Sequence, residues 1–469
     1  MPDRLSALDA SFLYVEDHST PMHVGGVAIF ERPREGFNHE RLLDLIGQRL
    51  AFLPRYRQRV LEVPGHLARP VWVDDVDFDL NYHVRRSALP QPGSDSQLFD
   101  LVARLMSRRL DPGRPLWEAY FVEGLAGDRV ALVTKTHQSV VDGIGTIEIG
   151  QLILDATPQE PEPFDDDTWH PRREPSRTQL ILDAVAETVQ RPTELVENVR
   201  SIAHDVTAMA GKVTETVGDV ASALKTMVNP APSGPLNVRT SGGRMFAGVR
   251  TRLEDFRKVR AAHGGTVNDV VLAAITGALR EWLLSRGSNL TATTTVRALV
   301  PMAVRDAETA EYSTPGLVGN QVDAYLVDLP VGEPNAVLRL QHIGHAMADH
   351  LDSGRSVAAR GLRTVGGFAP PTLHSLGARV AGSMSGRIFN VLITNSPGPQ
   401  VPLYAGQAKM VEMFPVMPLV RNQALAIGVT SYHGGVYFGL NGDRKAVSDV
   451  DLLAGMIEES LEELKGAHW

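Results

Sequence analysis

The chain has 469 residues, more than one hydrophobic core normally supports, so two or more domains are expected. A formal net charge of −9 is the wrong sign for nucleic acid or an anionic membrane as principal partner, while 43% hydrophobic residues suffice to fill the cores. With zero cysteines, disulfides, thiolate nucleophiles, Cys-ligated zinc and iron–sulfur clusters are excluded.

The polar opening Met1-Pro2-Asp3-Arg4 carries no apolar signal core, and the longest apolar run, Val270 to Leu279, is too short to span a bilayer. A cytoplasmic protein is expected, soluble or peripheral. Residues 1–155 alternate β-rich runs such as His23 to Phe30 with helical stretches such as Leu98 to Leu110, an α/β (α+β) pattern. The apolar run Val130 to Val133 ends in Thr136-His137-Gln138-Ser139-Val140-Val141-Asp142-Gly143, a strand running into a glycine turn. The prolines 158, 161, 163, 171 and 175 around the acidic run Asp165 to Asp167 mark an exposed connection.

Residues 156–240 hold this connection and then a stripe, from Leu195 through Ile202, Met209, Val217 and Leu224 to Met227, at helical spacing. It reads as a long crossover helix, ended by Asn229-Pro230-Ala231-Pro232-Ser233-Gly234-Pro235. In residues 241–469 a helix is expected from Asn268 to Leu283 and a strand from Thr294 to Pro301. Ala424 to Tyr432 and Val436 to Leu440 read as a hairpin around Gly434-Gly435.

Common cofactor motifs fail on inspection. Gly143-Ile144-Gly145 meets Glu148 where a dinucleotide loop needs its third glycine, and Gly211-Lys212 is followed by Val213 rather than a phosphate-loop hydroxyl. Ser139 lies on no Gly-x-Ser-x-Gly elbow. His137 and Asp142 lack a third ligand at a metal spacing, so no metal is expected.

His137-Gln138-Ser139-Val140-Val141-Asp142-Gly143 resembles the HHxxxDG motif of the CoA-dependent acyltransferase superfamily, and most closely the bacterial wax ester synthase/diacylglycerol acyltransferases. Leu5 to Leu13 with Pro21 to Gly25, Trp72 to Asp75 with Phe78 to Val84, Pro115 to Glu118, Val267 to Val270 and Asn395 to Pro399 resemble further family blocks, in the family's order. The resemblance implies two chloramphenicol-acetyltransferase-like lobes joined by the crossover, with a tunnel between them. It also implies acyl-CoA as co-substrate without a cofactor, and diacylglycerol or a long-chain alcohol as acceptor. Peripheral contact with a membrane or lipid droplet and the oligomeric state stay open.

Moving an acyl group from a thioester to an alcohol needs a base for the hydroxyl proton and donors for the developing oxyanion. In the family the base is the second His of the pair, and here that position is Gln138, which is no base at physiological pH. His137 is the substitute to consider, although neighbouring side chains on a strand face opposite ways. Asp142 and Gly143 brace and bend the turn. Asn268 reads either as a donor to the acyl carbonyl or as a helix cap. Pro115 and Trp117 read as core, and Thr394 and Asn395 as tunnel lining. The leading function is O-acylation of diacylglycerol to triacylglycerol, with wax esters second, and Gln138 lowering activity. The alternative is a lipid- or acyl-CoA-binding family member impaired in catalysis.

Overall fold

A computed structural model describes residues 3–33, 37–141, 149–159, 169–190, 230–304, 321–352 and 388–467. The stripe from Leu195 to Met227 lies outside the described residues.

The first half forms α1 (Ala7–Val15), β1 (His23–Glu31), α2 (His39–Leu50), β2 (Gln58–Leu61), β3 (Val71–Asp74), α3 (Leu80–His83), β4 (Val84–Ala88), α4 (Asp95–Met106), β5 (Trp117–Leu125), β6 (Arg129–His137), α5 (Gln138–Val141), α6 (Ile149–Leu152) and α7 (Arg177–Gln190). The second forms β7 (Arg244–Arg252), α8 (Leu253–His263), α9 (Val267–Ser285), β8 (Val296–Val304), β9 (Gln321–Leu329), α10 (Ala336–Asp352), β10 (Val391–Pro397), β11 (Tyr404–Ala405), β12 (Ala408–Val416), β13 (Leu425–Tyr432), β14 (Gly435–Asp443) and α11 (Val450–Gly466).

Local chemistry accounts for several of these boundaries. Ser94 caps α4 in a reciprocal pair with Gln97, and Thr266 caps α9 with Asp269, each satisfying two otherwise orphaned amides. His433 and Gly434, at φ 44° and 85°, form the two-residue turn between β13 and β14, one position earlier than the glycine pair suggests. Positive φ at both positions matches the strand twist. Helix α9 is apolar nearly all round and buried from Asp269 to Ala278, which requires cover on every side. The second core, α10 and α11 provide it.

Two six-stranded sheets organise the molecule into two lobes, in the orders β11-β12-β1-β6-β5-β4 and β7-β14-β13-β10-β8-β9. Strands β11 and β12, residues 404–416, complete the first sheet although they lie in the second half of the chain. There β12 pairs antiparallel with β1, Gly25 facing Val416 and Val27 facing Phe414. Phe99 of α4, Phe246 of β7, Phe414 of β12 and Tyr437 of β14 join the lobes edge to face, with ring centroids 5.4–5.5 Å apart. Such pairs add about 0.5–1.5 kcal/mol each beyond the burial of their surface. A Cβ at Gly439 would stand 1.8 Å from the Pro415 carbonyl oxygen, so only glycine lets β14 pass so close to β12. Arg250 of β7 clamps Glu412 of β12 through two bonds of 2.7 Å and reaches Asp95 of α4 at 2.8 Å.

Candidate active site

The end of β6 is anchored by the antiparallel register that sets His23 of β1 opposite His137. Gly25, two residues on, must be glycine because a Cβ there would sit 2.1 Å from the Thr134 carbonyl oxygen. The His137 amide donates to Leu116 at 2.9 Å, and the Gln138 amide donates to the Met22 carbonyl at 2.9 Å. Gln138 therefore stands where strand pairing ends and α5 begins.

His137 is 1% exposed. Its Nδ1 lies 2.7 Å from Ser139 Oγ and accepts the Ser139 backbone N–H at 3.1 Å. An amide N–H can only donate, so Nδ1 carries the lone pair and the ring proton sits on Nε2. Nε2 is 3.9 Å from Glu16 Oε2. Burial, with a smaller push from the Arg109 cation, brings the imidazole down to about 4 against the opposing pull of Glu16. His137 is thus neutral at pH 7, with its free electron pair already occupied. Gln138 differs: its Oε1 is buried and accepts no hydrogen bond from the described residues.

The strand face carrying His137 is polar well into the sheet. Lys135, 1% exposed, donates to the Arg108 carbonyl at 2.5 Å and lies 3.7 Å from Glu118 Oε2. Burial pulls its ammonium down to about 8 despite Glu118. Glu118 also accepts from the Tyr120 hydroxyl at 2.7 Å and pairs with Arg85 at 3.1 Å. Trp117, from the neighbouring Pro-Leu-Trp block, is fully buried, and its indole N–H donates to the Tyr56 carbonyl at 2.7 Å.

The second candidate group comes from α9 and β10. Thr266 and Asp269 perform the capping, which leaves the Asn268 side chain uncommitted to the helix end. Asn395 Nδ2 donates to Asn268 Oδ1 at 3.0 Å, orienting the Asn268 amide. Its Nδ2 is buried and has no acceptor among the described residues. Such a donor, held by its neighbour and lacking a partner, suits a developing oxyanion.

Of the five residues singled out from sequence, the structure places His137 and Gln138 side by side and sets Asn268 against Asn395. Asp142 and Gly143 lie outside the described residues. Among the described residues, no cluster of three or more His, Asp or Glu could hold a metal ion, and no helix is long and apolar enough to cross a membrane. The sequence did not single out Glu16, and it raised Ser139 only as a nucleophile, not as the partner of His137. The signal for Ser139 was its place two residues after His137, and for Glu16 its place between two family-like blocks.

Two family models cover most of the chain: the wax ester synthase/diacylglycerol acyltransferase catalytic domain matches residues 5–271, and the WS/DGAT C-terminal domain matches residues 318–465. The chain belongs to the wax ester synthase/diacylglycerol acyltransferase family. Within it, a Mycobacterium tuberculosis protein named as a probable diacylglycerol O-acyltransferase, tgs3, is 48% identical over 264 residues, 56% of this chain and 97% of its own. A second protein of that organism, named likewise and called tgs2, is 33% identical over 99% of both chains. The solved wax ester synthase/diacylglycerol acyltransferase of Marinobacter aquaeolei VT8 superposes with a TM-score of 0.66 at 28% identity, over 98% of each chain. The two-lobed fold and the acyltransferase assignment follow from this membership.

Proposed function

We propose that the protein transfers a long-chain acyl group from CoA to a lipid alcohol, diacylglycerol first and a long-chain alcohol second. Two buried, unpartnered amide atoms on residues that match the family's motif blocks support this reading. Gln138 Oε1 is a buried acceptor without a donor and Asn268 Nδ2 a buried donor without an acceptor among the described residues, the chemistry that a hydroxyl and a thioester carbonyl would satisfy. The hydroxyl hydrogen-bonds to Gln138 Oε1 and its oxygen attacks the carbonyl carbon. Asn268 Nδ2 then donates to the oxyanion. On collapse the C–S bond breaks, the ester forms, and the proton leaves on the departing thiol of CoA. His137 holds the turn rather than taking the proton.

The protein's N-terminal lobe spans 1–155, the connection 156–240 and the C-terminal lobe 241–469, with strands 404–416 lent back to the first sheet. Family membership does not favour the reading as a binding protein impaired in catalysis. The site chemistry calls for no cofactor. Purified protein given labelled palmitoyl-CoA and a panel of diacylglycerols and alcohols should form labelled triacylglycerol most rapidly. No ester from any acceptor, with hydrolysis of the thioester also absent, would sink the proposal.

A further inference from the structure

The blocks flanking Glu16 do more than fill the core. Glu16 follows α1 directly, as its C-terminal cap, and its side chain is 8% exposed. One carboxylate oxygen, Oε1, accepts the Met22 amide at 3.2 Å and lies 3.3 Å from His23 Nε2. The other, Oε2, accepts from Arg109 at 2.8 Å and lies 3.9 Å from His137 Nε2. Burial raises a carboxyl's proton affinity, yet here the His23 bond and the surrounding charges outweigh it and hold Glu16 down to about 2. With both imidazoles neutral at pH 7, Arg109 is the cation that balances the carboxylate.

Two short routes lead from this carboxylate to the peptide units on either side of the Gln138 side chain. Through Oε1, Glu16 fixes Met22, whose carbonyl accepts the Gln138 amide at 2.9 Å. Through Oε2, it faces the Nε2–H edge of His137, whose Nδ1 accepts the Ser139 amide at 3.1 Å. Glu16 thus fixes the acceptor of the 138 amide directly and lies against, without hydrogen-bonding it, the ring that accepts the 139 amide, whose Nε2 has no hydrogen-bond partner among the described residues. A strand that ends needs some such anchor, because beyond His137 the sheet no longer fixes the backbone.

From this we infer that Glu16 is a positioning residue for the acyl transfer: it sets where the residue-138 side chain stands, without touching substrate. The inference rests on the proposed acyltransfer at Gln138. A misplacement of about 1 Å near the reacting atoms lowers turnover by about a hundredfold. Glu16→Ala removes both routes, whereas Glu16→Gln keeps an acceptor for the Met22 amide and loses only the charge.

The test has two readouts on the full chain. Hydrogen exchange of peptides spanning 137–141 reports the anchoring directly and needs no activity. Steady-state turnover of palmitoyl-CoA with diacylglycerol reports its consequence. In the Ala variant, exchange at 138 and 139 should quicken while β5 and β13 stay protected, and kcat should fall by about a hundredfold with KM nearly unchanged. The Gln variant should recover part of both. Unchanged exchange at 138–139 in both variants overturns the inference, as does quickened exchange with full turnover. If the Ala variant unfolds, the Gln variant decides by the same two readouts. Wild-type protein inactive on every acceptor would refute the proposed function instead, and the exchange data would then judge the anchoring alone.

Discussion

The Ser139 amide donates to His137 Nδ1 over 3.1 Å, and this bond determines what His137 can do. With Nδ1 accepting and Nε2 protonated, the ring is a brace. His137→Ala should therefore destabilise the fold by about 1–3 kcal/mol, leaving the buried Ser139 amide without an acceptor. His137→Asn places an amide oxygen close to the Nδ1 position and should restore most of the stability and turnover. Thermal unfolding and initial rates on the two variants check this. An Asn variant as stable as wild type but as slow as the Ala variant would make the ring a proton carrier after all.

Asn268 offers a sharper separation of stability from chemistry. Asn268→Asp keeps an acceptor for Asn395 and adds a negative charge in the first turn of α9, where it favours the helix by about 0.3–1 kcal/mol. It also removes the unpartnered donor, and loss of one oxyanion donor lowers kcat by roughly 10²- to 10³-fold. The melting temperature should thus hold or rise while turnover collapses. Equal turnover in the two proteins would show that Asn268 does not face the carbonyl.

These two groups show how far sequence reaches. Short β-rich runs locate β1 and, around the Gly434-Gly435 turn signal, the β13–β14 hairpin, whose strands are buried on both faces and so read as near-continuous apolar runs. Capping chemistry was harder to apportion: Asn268 sits within reach of a cap, yet Thr266, two residues earlier, takes that role and frees it. Sheet membership is not written in alternation at all. Residues 408–416 alternate like any half-buried strand, and only the three-dimensional partner, β1, reveals that they complete the first sheet. The Glu16–His137 contact joins positions far apart in the chain, and no local pattern announces it.

Acid should loosen the fold over a definite range. Burial holds His23 down to about 3, and His83 and His137 each to about 4, against 6.5 when unfolded. The unfolded chain therefore takes up protons first. The stability these groups confer is complete above pH 6.5 and drains away as pH falls toward 4, by at most roughly 1.4 kcal/mol per unit for each ring. Glu16, held at about 2 from 4.5, keeps its contribution down to pH 4.5 and loses it below, so it does not set the onset. Urea midpoints at pH 7.5, 6 and 5 should fall steadily. In His83→Asn, which can still donate to the Trp117 carbonyl, the slope should ease by one ring's share. A midpoint flat from pH 7.5 to 5 would contradict the buried, neutral state of these histidines.

The decisive substitution is Gln138→His. The backbone of residue 138 is fixed by its amide bond to Met22, independent of the side chain, so the exchange should leave the turn in place. Gln138 Oε1 is already buried without a partner, and an imidazole there would offer a lone pair to the same hydroxyl. The amide can orient that hydroxyl but cannot hold its proton, whereas an imidazole near its ordinary pKa can do both. A positioned general base is worth roughly 10²- to 10⁴-fold in rate. The variant should therefore raise kcat for palmitoyl-CoA and diacylglycerol while KM for the thioester stays close to wild type. Gln138→Ala, lacking either function, should fall below wild type. A folded His variant no faster than wild type would mean that the residue-138 side chain does not face the attacking hydroxyl.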